Sequence, residues 1–199
     1  MKRVQVLKNM EQAHAKLLAA MRDLSDQVIA TQPMMGDWTI KDMLGHLAMW
    51  YRVAITFVNE FVERGVPRPT GLDDVTVNEY NERELKWRRD WSLAQIRNEF
   101  DAAYQTLLAS IEKLDDAQLN APLPTPWDKD ATLERLIAWN SYEHEPEHTA
   151  QIEAWRKSSM ETKRPVKRAT QKSAKKIVKK PAKKTTRQNG KTGVRRTHR

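Results

Sequence analysis

Apolar residues that recur every three to four positions constrain this chain more than any other feature. Val4, Leu7, Met10, Leu17, Leu18, Met21 and Leu24 mark one face of a first helix. A second runs through Ile40, Met43, Leu44, Leu47, Tyr51, Ala54, Ile55, Val58, Phe61 and Val62 and stops at Gly65, before Pro67. Its start at Thr39, with Asp42 three residues on, reads as a capping box, in which hydroxyl and carboxylate take up N–H groups that a helix start leaves free. Ser92 and Gln95 open a third helix the same way, with Leu93, Ile96, Phe100, Tyr104, Leu107, Ile111 and Leu114 inward. After a loop punctuated by Pro122, Pro124 and Pro126, a last helix is expected from about residue 130 to 156. Period-two alternation is almost absent, so the pattern predicts an all-α four-helix bundle.

Residues 66–91 are too many for a helical hairpin turn. Pro67, Pro69 and Gly71 come first, then a short helix expected from about Asp74 to Arg88. A crossover of this length lets the two flanking helices run parallel. A faint internal echo accompanies it: Leu24-Ser25-Asp26-Gln27 with Leu47-Ala48-Met49-Trp50 is mirrored about 90 residues later by Leu114-Asp115-Asp116-Ala117 with Leu136-Ile137-Ala138-Trp139.

The charge balance divides the chain. Residues 1–156 carry 18 Lys+Arg against 25 Asp+Glu, a net −7, while residues 157–199 carry 17 basic residues and one acidic, a net +16. The first part is read as the folded domain. The second has no aromatic residue and too little apolar surface to offset the entropy of ordering, so it is read as a disordered Lys/Arg-rich tail. With no cysteine in the chain, any metal must be held by His, Asp or Glu. Polar residues interrupt any apolar run near the amino terminus, and no stretch of about 18 apolar residues follows. The expectation is a cytoplasmic protein without a membrane partner.

Tyr142-Glu143-His144-Glu145-Pro146-Glu147-His148 carries the chemistry. Histidines four apart on a helix present two imidazoles one turn apart, a chelating geometry. His144 and His148 also fall on the stripe made by Leu133, Ile137, Asn140, Ile152 and Trp155. A third histidine from a neighbouring helix would complete a three-ligand site with one position open, as in catalytic zinc; two ordinary polar residues on a helix are the plainer alternative. His14 is read as structural or partly exposed, and His46 as lying at the core edge under Trp50. Glu143, Glu145 and Glu147 are read as solvated helix charges, with Glu145 the candidate catalytic base. The string also fits the zincin pattern H-E-x-x-H, but the third ligand of such proteases lies downstream, where few candidates, Glu161 and His198 among them, remain, and no strands are on offer. Trp50, Trp139 and Trp155 are read as core, and Trp38 and Trp127 as lining a pocket mouth. Pro146 is the residue that threatens the site, because inside a continuous helix it would remove a bond to the Tyr142 carbonyl, at a cost of about 3 kcal/mol or a kink.

Gly36-Asp37-Trp38-Thr39-Ile40-Lys41-Asp42-Met43-Leu44-Gly45-His46-Leu47-Ala48-Met49-Trp50 resembles the W-[ST]-x-x-D-x-L-x-H-[LI]-x-x-W signature of the DinB-like superfamily. His144 through His148, then Gln151-Ile152 and Trp155, resembles its H-x-x-x-H-x-x-Q-I-x-x-W ending. The resemblance implies an up-down-down-up bundle and a divalent metal, zinc or nickel, held by His46, His144 and His148. It also implies chemistry of the hydrolase or thiol S-transferase kind, as in maleylpyruvate isomerases, in which a low-molecular-weight thiol or water is activated toward a small-molecule substrate. Leu72-Asp73-Asp74-Val75-Thr76-Val77-Asn78-Glu79-Tyr80-Asn81 is similar to the ClbS/DfsB branch, whose members need not use a metal.

The tail resembles those of linker histones in composition, and such polycations bind nucleic acid by neutralising phosphates without reading sequence. Three readings therefore stand side by side: a metal-dependent enzyme brought to nucleic acid, and so to the nucleoid, by its tail; a metal-free protective or binding bundle; and a nucleic-acid-associated protein whose bundle only forms a homodimer.

Overall fold

The computed structural model describes residues 1–65, 75–125 and 128–162. The proposed tail from residue 163 onward, Trp127 and the first part of the crossover lie outside the described residues. The elements, in order, are α1 (Arg3–Met21), α2 (Asp26–Thr31), β1 (Pro33–Met35), β2 (Trp38–Thr39), α3 (Ile40–Arg64), α4 (Val77–Arg88), α5 (Leu93–Glu112), α6 (Asp116–Leu119), α7 (Leu133–Trp139) and α8 (His144–Thr162). Among the described residues, no helix is long and apolar enough to cross a membrane.

Four long helices, α1, α3, α5 and α8, form the bundle, with α3 chiefly on α5 and α1 on α8. Contacts between them fix the directions. A Cβ on Gly45 would meet Ile96, and Arg52 bonds Glu99, so numbering rises together and α3 and α5 are parallel. His14 meets Glu145 and the Ala20 carbonyl meets Arg156, so α1 and α8 are parallel as well. Arg3 instead reaches the Glu112 carbonyl while His14 stacks on Tyr104, which makes α1 and α5 antiparallel. His46 with His148 and Tyr51 with Glu145 make α3 and α8 antiparallel. The result is the up-down-down-up order. Leu17 and Met10, Leu47 and Tyr51, Phe100 and Leu107, and Ile152 fill the core from all four helices.

Both expected capping boxes form, at Thr39 with Asp42 and at Ser92 with Gln95, and α3 ends on Gly65 at φ 71°. Two local features depart from the periodic reading. Pro33–Met35 and Trp38–Thr39, expected as loop, pair as a small antiparallel hairpin that turns through Gly36 at φ 55°. The expected single helix from about residue 130 is also broken. α7 stops at Trp139, where the Asn140 and Ser141 side chains bond the Leu136 and Ile137 carbonyls, and α8 starts afresh at His144 and continues past Arg156 to Thr162.

The internal echo has a structural counterpart. In each half a long helix is followed by a short one capped by Ser25 or Asp115. An antiparallel pairing comes next, Pro33 with Thr39 or Pro122 with Thr132, and then a helix capped by that same threonine.

The crossover helix α4 is pinned by Arg88. Its guanidinium is buried, donates to Glu99 at 2.8 and 2.9 Å and reaches Glu84 at 2.9 Å, while Arg52 adds a bond of 3.0 Å to Glu99. Gly45 makes room, since a Cβ there would lie 3.2 Å from the Arg88 side chain and 3.3 Å from Ile96. Burial by itself would raise the Glu99 carboxyl, but bonds from Arg88 and then Arg52 outweigh it and hold the group below its usual value. A depressed carboxyl stabilises the fold above its unfolded-state value and loses that contribution as pH falls through its folded value. Removing one partner of a buried pair strands the other charge. Glu99→Leu should therefore cost about 3–5 kcal/mol in urea unfolding at neutral pH, and Arg88→Met/Glu99→Leu much less. The deficit of the single variant should narrow as pH falls below about 4.5.

Candidate metal centre

His46 projects from the second turn of α3, and His144 and His148 lie one turn apart at the start of α8. The His144 Nε2 atom lies 3.2 Å from Nε2 of His46 and 3.1 Å from Nε2 of His148. One ligand nitrogen from each ring falls within 4.8 Å of the others. All three predicted ligands thus come together, across 98 residues of sequence between His46 and His144.

Pro146 does not displace them. It is the third residue of the new helix, where an N–H has no partner inside the helix to lose. The interruption between α7 and α8 places the proline where it costs least, and the expected kink inside a continuous helix does not arise.

Gln151, one turn after His148, accepts a hydrogen bond from His148 Nδ1 at 2.8 Å. That bond assigns the proton to Nδ1 and leaves the Nε2 lone pair facing the other two rings. Trp38 and Trp50 pack edge-on against His46, with ring centroids 5.2 and 6.1 Å away. Burial, then the neighbouring His144, His148 and Arg88, lowers His46 from 6.5 to about 2. Burial and then His148 lower His144 to about 4. Burial also lowers His148, against the opposing pull of Gln151 and Glu147. The three imidazoles are therefore neutral at neutral pH, the state that offers lone pairs to a cation.

The donor set fits a divalent ion. With metal–nitrogen bonds of about 2.0–2.1 Å, two ligands of a tetrahedron stand about 3.3 Å apart, close to the two Nε2 separations here. A single proton between His144 and a neighbour satisfies only one such contact well, whereas one cation satisfies three lone pairs. The cluster can hold a metal, and with three protein ligands it leaves a coordination position open.

Glu145 is not part of this cluster. Its carboxylate is 1 % exposed and accepts bonds from the Tyr51 hydroxyl and, at 2.9 Å, from His14 Nδ1. The His14 ring stacks on Tyr104 with centroids 3.7 Å apart. Burial, then the Glu145 charge and bond, raises the Tyr51 phenol well above its usual value. The reading of Glu145 as a solvated charge is corrected: it points between α1 and α3, where Tyr51 and His14 satisfy it. Glu143 and Glu147 are exposed, with Glu143 paired to Arg135 at 2.7 Å. The zincin string is coincidental in geometry as well, because its glutamate turns away from its histidines.

The periodic reading missed a cavity of about 520 Å³ that opens onto His46 and His144. Trp50 and Trp139, read as core, form part of its wall together with Phe57 and Leu136. Helical spacing placed these residues on inward faces, but no sequence signal says that the faces meet imperfectly. Trp155 packs half-buried against the core as expected.

Residues 9–152 match the DinB superfamily. The chain belongs to that superfamily. The solved structures it is similar to share its fold at low identity. An uncharacterised protein from Escherichia coli UTI89 has 14 % identity and a TM-score of 0.68, over 80 % of this chain and 95 % of that one. The colibactin self-resistance protein ClbS, solved in complex with a double-stranded DNA, has 14 % identity and a TM-score of 0.67, over 78 % and 96 %. DfsB, described as a sibling lethal factor precursor, has 17 % identity and a TM-score of 0.67, over 80 % and 97 %. A comparison with curated proteins returns no match.

The Glu145 cluster generates a direct test of its structural role. Tyr51→Phe removes the phenolic donor and leaves a buried carboxylate short of one bond, so it should lower unfolding stability by about 1–3 kcal/mol in urea titration. Metal content should be unchanged.

Proposed function

We propose that this DinB superfamily protein is a divalent-metal-dependent enzyme of the hydrolase or thiol-transferase type, with His46, His144 and His148 as ligands. The observation that carries the reading is the convergence of three neutral imidazole Nε2 atoms beside a cavity. A zinc or nickel ion held there would supply Lewis acidity, lowering the pKa of water or a thiol and polarising a substrate oxygen.

The chain's own residues do the rest. Gln151 holds the His148 proton on Nδ1 and so fixes which nitrogen faces the site. The indoles of Trp38 and Trp50 confine the His46 ring. The buried setting keeps protons off the ligands and strengthens electrostatic interactions at the reacting atom.

Metal analysis of protein purified without chelator tests this. Wild type should carry about one equivalent of zinc or nickel, and His46→Ala and His148→Ala should carry almost none while keeping their helical signal. Gln151→Leu should keep the metal but bind it about 10–100-fold more weakly in chelator competition. A wild type that takes up no stoichiometric metal would leave the metal-free protective or binding role, like that of the ClbS/DfsB branch, as the better account.

We also propose that the tail contacts nucleic acid. Its net +16 over 43 residues supports this. Because α8 continues to Thr162, the informative truncation removes residues 163–199. The shortened protein should lose low-salt duplex binding in a mobility-shift assay while remaining folded; undiminished binding would place the contact on the bundle.

A further inference from the structure

We infer that the cavity beside the three histidines selects an uncharged, largely apolar, ring-bearing small molecule and rejects anionic ones, carboxylate-bearing thiols included. The inference rests on the metal-centre reading for the chemistry that follows binding, but the recognition itself lies in the cavity wall.

At about 520 Å³ the cavity is the size of a small-molecule site. Val53 and Phe57 from α3, Leu136 and Trp139 from α7 and Val77 from α4 form most of the wall, beside Trp50 and the two histidines. Among the described lining residues there is no Lys, Arg, Asp or Glu. The polar groups present are uncharged: Trp50 Nε1 and Asn81 Oδ1 are buried without a partner among the described residues, and two others are engaged. The Thr76 hydroxyl caps α4 through Glu79, and the Asn140 amide donates to the Leu136 carbonyl at 2.6 Å.

Two cations come near without being available. Arg88, which faces His46 from the other side, is held by Glu84 and Glu99. Arg135 lies over the Trp139 ring with its guanidinium 4.7 Å from the centroid, but pairs with Glu143 at 2.7 and 2.9 Å. In the metal-free protein an anion entering the cavity would shed its hydration and meet no free side-chain cation among the described lining residues, which is strongly unfavourable; a metal on the histidines would add positive charge at one end only, an effect that comparing chelated with metal-loaded protein measures. A neutral ring loses little hydration and gains the polarisable surfaces of two indoles and a phenyl group.

The test uses two probes with one ring skeleton, neutral N-phenyl-1-naphthylamine and its sulfonate 8-anilinonaphthalene-1-sulfonate. Each is titrated fluorometrically into the full-length chain at high salt, which screens the basic tail. The neutral probe should bind one per chain and at least tenfold more tightly than the sulfonate. Trp139→Ala should weaken the neutral probe at least fivefold. Val77→Lys, at an exposed rim position, should shift the preference several-fold toward the sulfonate. Equal or tighter binding of the sulfonate in the Trp139-dependent signal, a neutral-probe affinity indifferent to Trp139→Ala, or an unchanged preference in Val77→Lys would overturn the inference. Running the titrations on chelated and on metal-loaded protein separates the two readings. A failure of metal uptake appears in the metal analysis and leaves the probe preference standing, whereas a failure of the preference leaves the metal stoichiometry untouched.

Discussion

The buried carboxylate of Glu145 sets the register on which the rest of the site depends. It accepts from Tyr51 on α3 and from His14 on α1, so the first turn of α8 is held against two helices at once. His46 and Tyr51 lie five residues apart on α3, while His144 and Glu145 are neighbours on α8. The two bonds that satisfy Glu145, from Tyr51 and from His14, together hold α8 in the register that places His144 beside His46, and either one alone still fastens it. A carboxylate left unsatisfied in that setting is costly, and a sliding of α8 along α3 would leave it so. Consecutive residues thus divide the work: His144 faces the cluster and Glu145 fastens the helix that presents it.

Pro146 acts at the same place by a different mechanism. Lacking an N–H, it is tolerated in the first turn of a helix and poorly in the middle. The chain meets this by ending α7 at Trp139 and starting again at His144, with Asn140 and Ser141 covering the carbonyls left at the break. The same arrangement of long helix, short helix, pairing and threonine-capped helix precedes both His46 and the His144 pair. The ligands occupy different places in the two halves, His46 within the threonine-capped helix α3 and His144 with His148 on the helix that follows the threonine-capped α7.

The chemistry at the centre follows from burial more than from any one bond. Desolvation makes the histidines weak bases toward protons and leaves their lone pairs free, and the Gln151 bond selects which lone pair of His148 is offered. The adjoining cavity is apolar because the helices that build it turn core-like faces toward it. The wall that a substrate meets is thus largely an extension of the hydrophobic interior, interrupted by two imidazoles and by Thr76, Asn81 and Asn140.

The sequence by itself determined the long helices α1, α3 and α5, the two expected capping boxes, the parallel pairing allowed by a long crossover, and the three histidines in their two motifs. Each rests on local physics: periodicity, side chain to backbone capping, and i, i+4 spacing. The resemblance to the superfamily supplied the link between His46 and the distant pair, which spacing could not. Only the tertiary structure decided that Glu145 is a buried anchor and not a solvated charge, since successive residues on a helix face different partners and the partners lie 94 and 131 residues away. It alone decided that Pro146 begins a helix, because the cost of a proline depends on where the neighbouring turn ends. It also revealed the cavity, because an apolar residue looks the same in sequence whether its face is packed or left open.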